Sequence, residues 1–155
     1  MKIADVGSVV VRTAEEGEAL WWLGALATIK VATPALTVVE VQDPPNAEAP
    51  LHVHHNEDEA FWVLEGEVTF EVGGHSREVK AGDFVFGPRD VPHRYRVGSM
   101  GSRMVFILTP GGFEGVIRAT SEPARGRELP PPDVEPDMEA VMANLEQFGA
   151  EIFEG

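Results

Sequence analysis

From Val9 to Thr109 the chain is a succession of short runs in which apolar or β-branched residues alternate with polar ones, each closed by Gly, Pro, Asn or Asp. A period of two with turn residues at the breaks is the pattern of strands with one buried face. It predicts strands at Val9–Val11, Ala25–Val31, Leu36–Gln42, Leu51–His55, Ala60–Leu64, Glu67–Val72, His75–Lys80, Phe84–Phe86, Val91–Val97 and Arg103–Thr109. The breaks include Asp43-Pro44-Pro45-Asn46, Glu65-Gly66 and Gly87-Pro88-Arg89-Asp90, and Gly73-Gly74 has the chemistry of a tight hairpin turn. Many short strands at this spacing predict an all-β sandwich or barrel, with jelly-roll closure protecting the edges. No internal repeat is visible, so the pattern predicts one barrel and not two.

Past Pro110-Gly111-Gly112 the pattern changes. Phe113, Val116 and Ile117 have helical spacing and predict a short helix. Ser121–Pro136 holds five prolines and many charges, which predicts an extended arm over the surface. Met138, Val141, Met142, Leu145 and Phe148 then form one apolar helix face, ended by Gly149. The expected division is a barrel at 1–120, followed at 121–155 by an arm and a helix packing on the barrel or on a second subunit. Trp21 and Trp22 lie in an apolar stretch. If it is extended they point to opposite faces, one to the core and one to solvent or a partner chain.

Composition narrows the chemistry. With 155 residues, 43% hydrophobic and 25% charged, the chain is long enough for a core without disulfides. It has no cysteine, so thiolate metal sites, iron–sulfur clusters and cysteine nucleophiles are excluded. A net charge of −14 disfavours nucleic acid and anionic lipid as partners. Met1–Val11 lacks the apolar core of a signal peptide, and Ala19–Ile29 is too short to span a bilayer, so a cytoplasmic protein is expected.

Any metal must therefore be held by His, Asp or Glu. His52 and His54 are two apart on a predicted strand and share a face. Glu59 lies beyond a turn, where a hairpin brings it back alongside them. His93, far along the chain, is the fourth candidate, on a strand that a jelly roll can place next to the His-x-His strand. Three imidazoles and one carboxylate suit one divalent transition metal (Mn, Fe, Co, Ni, Cu or Zn) and are too nitrogen-rich for Mg or Ca. Four protein ligands on an octahedral ion leave two positions for water, substrate or dioxygen. His55 has the opposite parity, and neither it nor His75 is assigned a role. By alternation, Phe61 and Val63 face inward from Glu59 and Tyr95 does so from His93. Phe84, Phe86, Phe106 and Leu108 are further candidates for a substrate pocket.

These residues resemble the cupin superfamily. His52, His54, Glu59 and Gly66 fit its first motif, with Asn46 in place of the leading glycine. Gly82, Pro88 and His93 fit the second, with Asp90 in place of a glycine and Val97 in place of an asparagine. Asn and Asp also adopt left-handed turn conformations, so the departures touch turns more than ligands. HVHHNEDEAFWVLEGEVTFEVGG, GDFVFGPRDVPHRY and TPGGFEG look like the single-domain cupins of quercetin 2,3-dioxygenase type. The resemblance implies a jelly-roll barrel, a homodimer and a metal-dependent dioxygenase acting on an enol or phenol-like small molecule. Glu59 would be both ligand and general base. Two other readings fit the same residues: an isomerase or decarboxylase that moves a proton without oxygen, and a metal-containing binding barrel without turnover.

Overall fold

The computed structural model describes residues 9–153, so most of Met1–Val11 lies outside it, as do the outer ends of the 1–120 and 121–155 segments. In chain order the elements are β1 (Glu18–Trp22), β2 (Ala25–Ala32), β3 (Thr37–Asp43), β4 (Glu48–His54), β5 (Asp58–Val72), β6 (His75–Lys80), β7 (Phe84–Gly87), β8 (His93–Thr109), α1 (Glu114–Ala119), β9 (Ser121–Pro123), α2 (Met138–Gln147) and β10 (Ala150–Ile152). All pairings are antiparallel, in the order β10-β4-β8-β3-β2-β1-β9, and β5 pairs with β6, β7 and β8. This is a jelly-roll barrel. No strand forms at Val9–Val11, whose Val9 and Val11 are exposed.

The barrel turns on β5 and β8, each longer than the sequence pattern predicts. The first half of β8 lies between β4 and β5, and its second half between β3 and β5. Both long strands change parity midway. Glu59, Phe61 and Val63 face inward, then Val68 and Phe70. His93, Tyr95 and Val97 share a face, then Met104, Phe106 and Leu108. The shift in β5 comes from irregularities on either side of Glu65–Gly66, at Val63/Glu65 and Gly66/Val68, where register slips against β8. Gly66 has φ +88°, and a Cβ there would collide with the Gly101 carbonyl, so glycine is required. What reads as a break between two strands is one strand crossing these slips.

Asn46 (φ 60°) and Asp90 (φ 67°) both adopt the left-handed conformation, as expected for residues standing at glycine turn positions. Gly73 and Gly74 also have positive φ and close the β5–β6 hairpin.

Beyond Pro110 the chain is stitched back onto the barrel at two points. β9 pairs with β1, and β10 pairs with β4. Between them α2 starts at Asp137, whose carboxylate accepts from the Ala140 amide at 3.1 Å. It buries Val141 and Leu145 and leaves Met138 and Met142 partly exposed. Neither tryptophan is a free surface. The Trp21 indole donates to the Glu128 carbonyl at 2.9 Å, and Arg125 lies over its ring at 4.8 Å. The Trp22 indole donates to Thr120 Oγ1 at 2.9 Å. The Pro-rich arm is what covers Trp21.

Candidate metal centre

His52 on β4 lies opposite His93 on β8 in the strand register, and the ring centroids are 4.3 Å apart. His54 follows two residues on, 5.2 Å from His52 and 5.7 Å from His93. Glu59, near the start of β5, sends Oε1 to 3.0 Å from His93 Nε2 and 3.4 Å from His54 Nε2. One donor atom from each of the four side chains falls within 4.8 Å of the others. His54, Glu59 and His93 are buried. Gly87 gives the His93 ring room: a Cβ there would sit 3.4 Å from His93 Nδ1.

The surroundings fix the ring tautomers. His52 Nδ1 is 2.7 Å from the Pro50 carbonyl and His93 Nδ1 is 3.4 Å from that of Val91. A carbonyl only accepts, so each Nδ1 donates and each Nε2 is the nitrogen turned toward the cluster. His54 Nδ1 faces Glu57 Oε2 at 3.5 Å. Neither atom makes a hydrogen bond, and both are buried. Glu57 is thus a buried carboxylate behind a candidate ligand, although it stands in the acidic run Glu57-Asp58-Glu59.

Three imidazole nitrogens and a carboxylate converging in a buried space require positive charge among them. In the absence of an ion, protons supply it. Burial opposes charging His54, yet the Glu59 and Glu57 carboxylates raise its pKa to about 9. Burial, aided by His93, lowers His52 to about 4. Burial would raise Glu59, but His54 and His93 hold it well below the usual carboxylate range. A divalent cation satisfies the same donors at once, so the residues present fit a metal.

The cluster opens on a cavity of about 370 Å³ with mostly apolar walls. Phe61, Tyr95 and Phe106 line it. Val63 and Leu108 point inward but lie in the core, off its wall. Phe84 and Phe86 are misplaced by the sequence reading. They are 54% and 52% exposed on the outer face beside Trp62, because β7 pairs Val85 with Phe61 and so turns Val85, not its neighbours, inward. The reading also missed Asp43 and the cavity's cover: Phe113, Val141, Leu145 and Ile152. Their apolar spacing was visible, but not what it faces. His55 sits outside, bonded to Asp90 at 2.7 Å and Glu151 at 2.9 Å, and His75 is exposed. A wider groove of about 690 Å³ alongside contains none of the four candidate ligands, and its Arg94 and Arg96 are paired with Glu71 and Glu48.

A jelly-roll barrel with an inward His₃Glu cluster at an apolar cavity defines a candidate metal-binding barrel. Residues 39–110, a little under half of the chain, match the family model described as Cupin domain. The chain is similar to quercetin 2,3-dioxygenase of Bacillus subtilis, 29% identical over 115 residues, which is 74% of this chain and 34% of that protein. The chain therefore spans about a third of the length of this curated relative. Among solved structures it resembles an RmlC-like cupin from Shewanella frigidimarina (TM-score 0.60, 21% identity, covering 74% of this chain and 99% of that one). It also resembles KdgF from Halomonas sp. (TM-score 0.57, 24% identity, covering 59% and 85%). These two likenesses speak to the fold.

Proposed function

We propose that the barrel holds one divalent transition metal on His52, His54, Glu59 and His93 and acts as a quercetin 2,3-dioxygenase-like oxidoreductase on a small apolar enol or phenol. The observation that carries this is the convergence of four donors, three of them buried, on the wall of an apolar cavity. The cavity volume suits a ligand of a few fused or linked rings. The similarity to the Bacillus subtilis enzyme supports the reaction class.

When bound, the ion supplies Lewis acidity toward an ionised enol and a route for electrons to dioxygen. The chain supplies the rest. Glu59 Oε1 receives the proton of the substrate hydroxyl, and the neighbouring imidazoles favour its ionised form before substrate arrives. Phe61 and Phe106, 4.9 Å apart and edge to face, give a planar ring a wall to lie against. Phe113, against His54 at 4.7 Å, shields the cluster from water.

Elemental analysis of the purified protein, with His52→Ala as control, tests the site. About one transition metal per chain is expected, and it is lost in the variant. Oxygen uptake with a flavonol panel tests the reaction. No metal-dependent uptake with any member removes the dioxygenase reading, and turnover without oxygen assigns the site to proton transfer instead. A homodimer and a cytoplasmic location belong to the same proposal. The outward Trp62, Phe84 and Phe86 support the former, and light scattering tests it.

A further inference from the structure

One polar feature of the cavity wall is not used by the metal site. Asp43 ends β3 and faces inward, 7% exposed. Its Oδ2 accepts a hydrogen bond from the Tyr95 hydroxyl at 2.8 Å. Its other oxygen, Oδ1, has no partner among the described residues, and it is not among the sealed polar atoms that lack one. It is therefore open to the cavity that Asp43 lines. Among the described residues, the other titratable side chains on that wall outside the metal cluster are Tyr95 and Glu48, the latter exposed and bonded to Arg96 at 2.8 Å. No Lys or Arg among the described residues lines the cavity to neutralise Asp43.

A carboxylate in an apolar space with one oxygen unused is costly unless something donates to it. Burial accordingly raises the Asp43 pKa to about 6, against the Tyr95 hydrogen bond. Tyr95 is itself fixed, packed against Phe70 at 5.4 Å and Phe106 at 6.2 Å. It stands two residues from His93 along β8, about 7 Å of strand, and Asp43 lies beyond its hydroxyl. The cavity thus has a polar point at each end with aromatic wall between them.

Resting on the function proposed above, we infer that Asp43, positioned by Tyr95, is a specificity-determining residue that accepts a hydrogen bond from a hydroxyl on the substrate remote from the enol at the metal. The substrate class is then a two-ended aromatic with an ionisable enol or phenol at one end and a donor at the other. A molecule lacking the second hydroxyl leaves the carboxylate buried and unanswered, which is the stronger basis for discrimination.

The test is anaerobic binding to the metal-loaded protein, read by quenching of tryptophan fluorescence, since Trp22 lines the cavity. The probes are 3-hydroxyflavone, its 7-hydroxy and 4′-hydroxy derivatives, and the matching methoxy compounds. At least one hydroxy derivative is expected to bind tighter than both its parent and its methoxy partner by about tenfold or more. Asp43→Asn keeps an acceptor for Tyr95 but turns an NH₂ toward the cavity, so the hydroxy-to-methoxy preference falls to one or below. Tyr95→Phe, an independent variant, weakens the preference by releasing the carboxylate. Equal binding of all probes, no binding of any, or a preference that survives Asp43→Asn overturns the inference. Oxygen uptake in the same preparations separates the two proposals. An Asp43-dependent preference without uptake defeats the dioxygenase reading alone, and uptake with no such preference defeats this inference alone.

Discussion

The two ends of the cavity are built in different ways. At the metal end, His52, His54, Glu59 and His93 stand on β4, β5 and β8, whose ladders fix each backbone position. At the mouth, Phe113, Val141, Leu145 and Ile152 come from chain beyond the residues matched by the family model, held by side-chain packing and by two three-residue strands. Hydrogen-bonded register places side chains closely, whereas packing places them only as well as neighbouring volumes allow. The difference teaches that chemistry and substrate choice sit on separable parts. The ligand set can be right while the cover selects what reaches it.

The largest expected effect falls on the metal end. His93→Ala removes one donor and takes from Glu59 its 3.0 Å partner. Metal content should drop to about a tenth of wild type or less, since even supporting residues of metal sites are worth ten- to a hundredfold. The far-ultraviolet circular dichroism of a β protein should persist. Full metal retention would break the comparison at its root. At the mouth, Leu145→Ala should cost about 3 kcal/mol by denaturant unfolding, through lost burial and the cavity it leaves. Metal content per folded chain should be unchanged. If metal is lost as well, the two ends are not separable.

Away from the metal cluster on the same wall lies Asp43, where pH gives the sign. Its pKa is raised by burial from 3.8 to about 6, so the folded protein binds the proton more tightly than the unfolded chain. Its contribution to stability is then fully present below pH 3.8 and is lost as pH rises through 6. The ceiling on that loss is roughly 3 kcal/mol, at about 1.4 kcal/mol for each pKa unit. Asp43→Asn removes the dependence. Relative to wild type, the variant should gain stability between pH 4 and 7 in unfolding titrations. A difference flat with pH would mean that the carboxyl titrates in the fold as it does in the unfolded chain.

The same division explains what could be read from the sequence. His52, His54 and Glu59 were legible because alternation and one turn are local properties. His93 needed a motif, since strand order is not local. The slips flanking Glu65–Gly66 look like a gap in the sequence because register is defined against the partner strand, which the sequence does not display. Phe84 and Phe86 were placed inward on hydrophobicity, although pairing to β5 gives that role to Val85. The α2 stripe predicted a helix and its buried Val141 and Leu145 face, but nothing in a 3.6-residue period says that the face roofs a cavity. Nothing local marks Glu57 as buried, because its burial depends on the fold closing around the turn between β4 and β5.

Glu57 tests whether the metal end extends past its four donors. Glu57→Gln removes the negative charge facing His54 Nδ1 and should weaken metal affinity about ten- to a hundredfold in a chelator competition, with the fold intact. No change would confine the site to the four donors.

The smallest effect belongs to the cover. Asp137 caps α2 by accepting from the Ala140 amide, and nothing in that contact touches the ligand cluster. Asp137→Ala should therefore cost about 1 kcal/mol of stability and leave metal affinity where it was. Because Met138, Val141 and Leu145 lie along the helix that this cap starts, fraying there loosens the roof before it reaches any strand. Its signature should be faster amide exchange confined to 138–147 and faster ligand release at unchanged metal content. Exchange that spreads into β4, through its pairing with β10, would show the mouth and the metal end moving as one unit.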